Sequence, residues 1–259
     1  MEAGEITSYI DVAQVVLYAF WIFFAGLVLY LRREDKREGY PLLSDRSGQV
    51  RVQGYPPIPD PKYFHMQEGH VISAPQTVPE RTEIAARPWA PWPGAPLQPT
   101  GNPLVDGVGP AAWAARRDEP ELTWEGIPAI VPLRIATDAF VEPRDANPIG
   151  MPVVAADGAV AGTVREIWTD RSEPQIRYLE VEVPSNVGDQ RHVLVPMPFV
   201  RISAKQGLVK VKALLARQFA EIPGLKSPDQ ITKLEEDKIT GYFAGGHLYA
   251  TPARLGPVL

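Results

Sequence analysis

The 259-residue sequence has no cysteine, which excludes disulfides, thiolate nucleophiles and thiolate metal sites together. Histidine is scarce. His65, His70, His192 and His247 are the full set, and no pair has the i, i+4 spacing with a glutamate that marks a zinc-protease helix. His65 and His70 lie five residues apart in a loop, and no metal site is assigned to them. No phosphate-cradling P-loop and no Gly-x-Ser-x-Gly nucleophile turn occurs. The glycines of Asp106-Gly107-Val108-Gly109-Pro110 do not make a dinucleotide loop, because Pro110 removes a backbone donor and the third glycine is missing. A net charge of -5 gives no concentrated basic surface to displace counterions from phosphates, so nucleic acid is set aside as a partner. Nothing in the sequence supports an enzyme.

Charge is also missing from one continuous stretch, Val12 to Leu31, whose only strongly polar side chain is Gln14. About 20 such residues at ~1.5 Å each cross the ~30 Å hydrocarbon layer, where every backbone group must be satisfied inside the helix. Glu2, Glu5 and Asp11 precede the stretch, and Arg32, Arg33, Lys36 and Arg37 follow it. The positive-inside rule then places the N-terminus, residues 1–11, on the outer side and the remainder in the cytoplasm. An acidic start and a basic end argue against a signal peptide. Tyr9, Tyr18 and Tyr30 suit headgroup depth, and Trp21 reads as a packing residue within the span. The four basic residues, interleaved with Glu34, Asp35 and Glu38, are expected at lipid headgroups or at the ends of neighbouring helices.

Proline is abundant: 28 residues, 13 of them between Pro56 and Pro110, so that stretch is predicted to hold neither regular helix nor central strand. Residues 32–147 therefore read as an extended segment. Tyr55, Tyr63, Phe64, Trp89, Trp92, Trp113 and Trp124 are scattered along it, and disordered linkers are poor in large aromatics. Such a chain should lie against a surface, either its own C-terminal domain or a partner at the membrane. Proline leaves it little conformational entropy to lose in doing so.

After Pro148 the pattern changes to short alternating runs. Met151–Ala155 and Ala159–Trp168, joined through Asp157-Gly158, read as a hairpin whose turn takes positive dihedral angles at that pair. Along Ile176–Val183, Leu179, Val181 and Val183 share one face and Glu180 and Glu182 the other. His192–Pro196, Phe199–Ser203 and Leu208–Leu214 are further strands, and the spacing favours a small antiparallel β-barrel over residues 148–259. Two helices should follow. The first covers Ala213–Ile222; the second is capped by Ser227, starts at Pro228 and stops at Gly245-Gly246. Glu235, Glu236 and Asp237 read as a solvated face of that second helix.

Taken in order, several segments resemble the H subunit of the photosynthetic reaction centre of purple bacteria, a family built on a PRC-type barrel. They are the run from Tyr30-Leu31-Arg32-Arg33 to Gly39-Tyr40-Pro41-Leu42, Gly101-Asn102-Pro103 with Asp106-Gly107-Val108-Gly109-Pro110-Ala111-Ala112-Trp113, Asn147-Pro148-Ile149-Gly150, Arg177-Tyr178-Leu179-Glu180-Val181-Glu182, and Glu235-Glu236-Asp237-Lys238 with Gly241-Tyr242 and Ala244-Gly245-Gly246. The resemblance implies one membrane helix, an extended segment and a cytoplasmic barrel that caps the L and M subunits in the bacterial inner membrane. It implies that bacteriochlorophyll, bacteriopheophytin, quinones and iron are held by L and M, with a cytochrome subunit, light-harvesting antenna and membrane lipids as further neighbours. It also implies that this subunit shields the quinone pocket and carries part of the proton route to the secondary quinone. On that basis Glu173 aligns with an interior proton-path carboxylate, flanked by Asp170 and Arg177. The resemblance to one family member implies a surface histidine pair shortly after Pro-Glu-Leu. Here the sequence is Pro120-Glu121-Leu122-Thr123-Trp124-Glu125, and Asp118, Glu121 and Glu125 are the carboxylates left to collect protons. The alternative is a membrane-tethered PRC-barrel adaptor that binds a soluble partner and takes no part in electron transfer.

Overall fold

The computed structural model describes residues 5–7, 10–40, 42–43, 51–67, 69–75, 83–92, 94–184 and 191–255. Glu2 and Tyr9, assigned above to the outer side of the membrane helix, lie outside the described residues. The chain divides into two compact units, residues 1–80 with 90–95, and residues 81–89 with 96–259.

The first unit is dominated by helix α1, Val12–Glu34, a little longer than the predicted span. Asp11 caps it, its carboxylate accepting the Gln14 amide at 2.7 Å. No residue of α1 is buried within the chain, and its sides are apolar all round, as a helix solvated by lipid requires. The helix tightens into a 3-10 turn, Asp35–Arg37, and here one expectation is corrected. Of the four basic residues placed at headgroups, Arg32 and Arg33 are exposed, but Lys36 is only 2% exposed. Its ammonium donates to the carbonyls of Gln53 at 2.7 Å and Pro56 at 2.6 Å and stands 5.1 Å from the centroid of the Tyr40 ring. Arg37 likewise holds the Asp60 and Ala74 carbonyls and the Glu34 carboxylate. Lys62 joins the same carboxylate. The physical reason is local. The prolines of 56–61 leave carbonyls without partners in a ladder, and the cations at the helix end satisfy them. Lys62–His65 and Val71–Ala74 then pair as a short antiparallel hairpin.

The second unit contains the barrel. Its strands are β1 (Ile130–Pro132), β2 (Pro152–Val154), β3 (Val160–Asp170), β4 (Gln175–Val183), β5 (Arg191–Pro196), β6 (Val200–Ser203) and β7 (Leu208–Val211). Hydrogen bonding runs in the order β5-β4-β3-β2-β7-β6, and β1 adds to β3. All ladders are antiparallel except β2 with β7. The predicted alternation holds in β4: Leu179, Val181 and Val183 are buried in the core with Val153, Val164, Val193, Val195, Val209 and Val211. In the β2–β3 turn only Gly158 has positive φ, and Asp157 instead accepts the Ala159 amide at 3.2 Å. That turn spans Ala155 to Gly158, with a register shift at Val153/Val154, which is how a longer turn is accommodated between twisted strands.

The helices differ more from expectation. Ala213 and Leu214 belong to the core, and only Ala216–Glu221 winds, as a 3-10 turn. Ser227 merely closes a local turn on Asp229. Helix α3 begins at Lys233 with Thr232 as its cap, because Thr232 and Glu235 bond each other's amides at 3.2 Å and 2.8 Å. It does not stop at Gly245-Gly246 but runs to Tyr249. A Cβ at Gly245 would meet the Ala111 Cβ at 2.5 Å, and one at Gly246 the Ala213 carbonyl at 2.6 Å, so these glycines permit close packing instead of ending the helix. Among the prolines, Pro103–Asp106 forms a four-residue helix, α2, capped by Asn102 and ended by Gly107 at φ 67°. Leu104 and Ala111 from this region are part of the barrel core. β1, at Ile130–Pro132, is a fully buried strand inside the segment predicted to be extended throughout, a pairing tolerated because it occupies three residues at the edge of β3.

Candidate functional site

The turn between β3 and β4 carries the predicted site residues. Asp170, the last residue of β3, is 7% exposed, and one of its oxygens accepts the amides of Ser172 at 2.9 Å and Glu173 at 3.2 Å. Its side chain thus shapes the turn. Glu173 itself is exposed in this chain, with the Gln175 amide group donating to it at 3.1 Å. Arg177 lies two residues into β4 and links two carboxylates, Asp170 at 3.9 Å and Glu236 of α3 at 3.8 Å.

Glu236 is the residue that the sequence reading missed. Glu235 and Glu236 are 5% and 8% exposed, not a solvated face. Glu235 is consumed by structure, accepting the amides of Thr232 and of Lys226, the latter at 2.7 Å. Glu236 accepts the buried Tyr178 hydroxyl at 2.8 Å. Burial raises its pKa above the ordinary carboxylate value, and the negative charge of Glu121 adds to the effect; the Tyr178 hydrogen bond and the Arg177 and Arg116 charges oppose it. Tyr178 is raised too, chiefly by burial and then by the adjacent Glu236, so it stays a neutral phenol. Asp237, the third acid, is partly exposed and pairs with Arg116 at 3.3 Å. A signal for this was present in the sequence. Thr232, Glu235, Glu236, Ile239, Tyr242 and Phe243 follow one another at helical spacing, and the two acids share the stripe of the buried apolar residues.

The surface carboxylates are set differently. Asp118 is bound to Lys226 and accepts the Thr232 hydroxyl at 2.8 Å, and the lysine in particular lowers its pKa. Glu125 is exposed in a turn where Gly126 has φ 80°. Glu121 is exposed on the same segment and close enough to affect Glu236. The arrangement is therefore a buried carboxylate able to hold a proton, an arginine that orders it, a second buried carboxylate beyond, and acids at the surface. No group of three His, Asp or Glu side chains among the described residues is placed to hold a metal ion.

Residues 4–135 match the photosynthetic reaction centre H-chain N-terminal region, and residues 141–215 match the PRC-barrel domain. The H chain is a non-enzymatic accessory subunit of an electron-transfer complex. It binds no pigment itself, and the cofactors lie in the L and M subunits with which it associates. With an apolar helix fit to anchor it in a membrane, a PRC-type barrel, and a first match that takes half of its 259 residues, this chain belongs to the photosynthetic reaction centre H-chain family.

Proposed function

We propose that this subunit covers the cytoplasmic face of L and M, shields the pocket of the secondary quinone from water, and conducts protons toward it. In this reading α1 crosses the inner membrane with residues 1–11 in the periplasm, and Arg32 and Arg33 meet lipid headgroups on the cytoplasmic side, where the segment 32–147 and the barrel of 148–259 lie. Bacteriochlorophyll, quinones and any cytochrome or antenna neighbours belong to the rest of the complex.

The observation that carries the proton-conducting role is the buried pair Asp170 and Glu236 bridged by Arg177 directly behind the Glu173 turn. A doubly reduced quinone sealed from water needs ionisable groups to reach it, because charge does not cross an apolar layer cheaply. Burying an acid is costly, and the raised pKa of Glu236 suits a group that takes up and releases a proton. Asp118, Glu121 and Glu125 gather protons at the surface, Glu236 holds them inside, Arg177 links it to Asp170, and Glu173 delivers them. In the intact complex, Glu173→Gln should slow the proton-coupled transfer of the second electron about a hundredfold, the lower end of what a positioned acid contributes. Flash kinetics indistinguishable from wild type would remove Glu173 from the route. Purification from detergent with bacteriochlorophyll absorbance is expected; a colourless monomer would instead fit a tethered adaptor.

A further inference from the structure

The hairpin of Lys62–His65 and Val71–Ala74 belongs to the same compact unit as α1 and is fastened to the basic end of that helix. Lys62 and Ala74 face each other across the open end of its ladder. Lys62 pairs with Glu34, the Ala74 carbonyl accepts from Arg37 at 3.1 Å, and Arg37 and Glu34 bond each other at 2.9 Å. One carboxylate–guanidinium pair at the end of α1 therefore holds both strands.

That attachment fixes a depth. The headgroup layer outside the ~30 Å hydrocarbon core is about 5–7 Å thick on each side. Glu34 comes three residues after Leu31, where the uncharged run ends, which at ~1.5 Å per residue puts it about 4.5 Å beyond the core. Arg37 follows within one 3-10 turn, at the outer edge of the layer. The open end of the hairpin is thus held where lipid headgroups lie.

The two faces of the hairpin differ. Alternation sets Phe64 opposite Ile72 on one face, which Met66 continues, and Tyr63 opposite Ser73 and His65 opposite Val71 on the other. Phe64 is 50% exposed and Met66 42%. Two strands alone bury too little to be stable in water, so the apolar face needs a cover.

We infer that the face carrying Phe64, Met66 and Ile72 rests on the bilayer surface around the exit of α1, which makes the hairpin a second membrane contact besides the span. The inference rests on the reading in which α1 crosses the membrane. Two observations favour lipid as the cover. The attachment is continuous with the membrane helix, and the cation at the edge of this face, Lys62, is already paired with Glu34, so no lone charge has to leave water. An apolar face bearing Phe settles at the boundary of headgroups and acyl chains, while the hydroxyls and imidazole of Tyr63, Ser73 and His65 stay on the wet side.

The chain has no cysteine, so a single introduced one carries a nitroxide label unambiguously. Full-length chain labelled at Ile72→Cys, Met66→Cys or Ser73→Cys is added to L and M complexes stripped of this subunit, in vesicles of phosphatidylcholine and phosphatidylglycerol. Collisions are measured with oxygen, which concentrates in lipid, and with a neutral nickel chelate, which stays in water. Labels at Ile72 and Met66 should gain oxygen access and lose nickel access relative to the label at Ser73. The Met66 label leaves Phe64 and Ile72 in place, which guards against distortion of the face by the probe itself. Nickel access at Ile72 and Met66 equal to that at Ser73 would overturn the proposal by placing the face in water. Exclusion of both reagents there would overturn it in favour of a cover provided by L or M. A label at Phe23→Cys, midway along α1, separates the two readings. Nickel access at Phe23 would sink the membrane crossing itself, whereas oxygen alone at Phe23 would confine either adverse result to the hairpin.

Discussion

Glu235 and Glu236 are adjacent, chemically identical and set to opposite ends. Glu235 accepts two backbone amides and serves as a helix cap. Glu236 has a phenol and a distant guanidinium to offset its burial, and its pKa rises. A raised carboxylate pKa means that the folded state binds the proton more tightly than the unfolded one. Its contribution to stability is fully present below the unfolded value and is lost as pH climbs through the raised folded value. Glu236→Gln removes the charge and keeps the shape. It should therefore raise the melting temperature of the complex at neutral and higher pH, with the difference shrinking toward zero as pH falls below the ordinary carboxylate range. A variant equally or more destabilised at high pH would mean that Arg177 and Tyr178 more than repay the burial. Both acids read as part of a solvated face, although their spacing shares the apolar stripe of α3, and that spacing could not tell which had amides to accept. That depended on Lys226 and Tyr178, which come from elsewhere in the chain.

At the scale of elements, the membrane helix was legible because composition alone decides it: a long uncharged run has few other destinations. The strands of the barrel were legible for a related reason, since alternation with period two reports one buried face. The ends of α3 were not. Ser227-Pro228 and Gly245-Gly246 are good local punctuation, but tertiary contacts override both. Pro120 bridges to Thr232 and keeps the chain extended there, and the glycines face neighbouring backbone. Gly241 tests this. By helix propensity, Gly→Ala inside a helix gains ~1 kcal/mol. A Cβ at Gly241 would, however, lie 2.8 Å from the Ala111 carbonyl oxygen and 2.9 Å from that of Ala112, backbone atoms that cannot swing aside. Gly241→Ala should therefore lose about 1–3 kcal/mol in denaturant melts, the cost of overpacking. A gain in stability would show that the 109–111 turn yields.

At the scale of the whole molecule, the two compact units divide the work of folding and of anchoring. The second unit has an interior of its own, with Trp168, Leu179, Phe219, Ile239 and Phe243 all fully buried. The first has a helix with nothing buried in it. Residues 81–259 should consequently fold without the anchor, giving a cooperative melt and a β-rich spectrum in plain buffer. What the fragment loses is concentration, since a tether in the same bilayer turns docking onto L and M into an encounter confined to the membrane. Linking two contacts in this way raises avidity by about 10²–10⁴ without a new contact at either. Titrating the fragment onto L and M complexes stripped of this subunit should show weakening within that range, with the secondary-quinone kinetics restored once the fragment saturates. Restoration at the affinity of the full chain would make α1 dispensable for assembly. Failure to restore at any concentration would place part of the function in residues 1–80, where the cations of the helix end hold the first proline-rich loop.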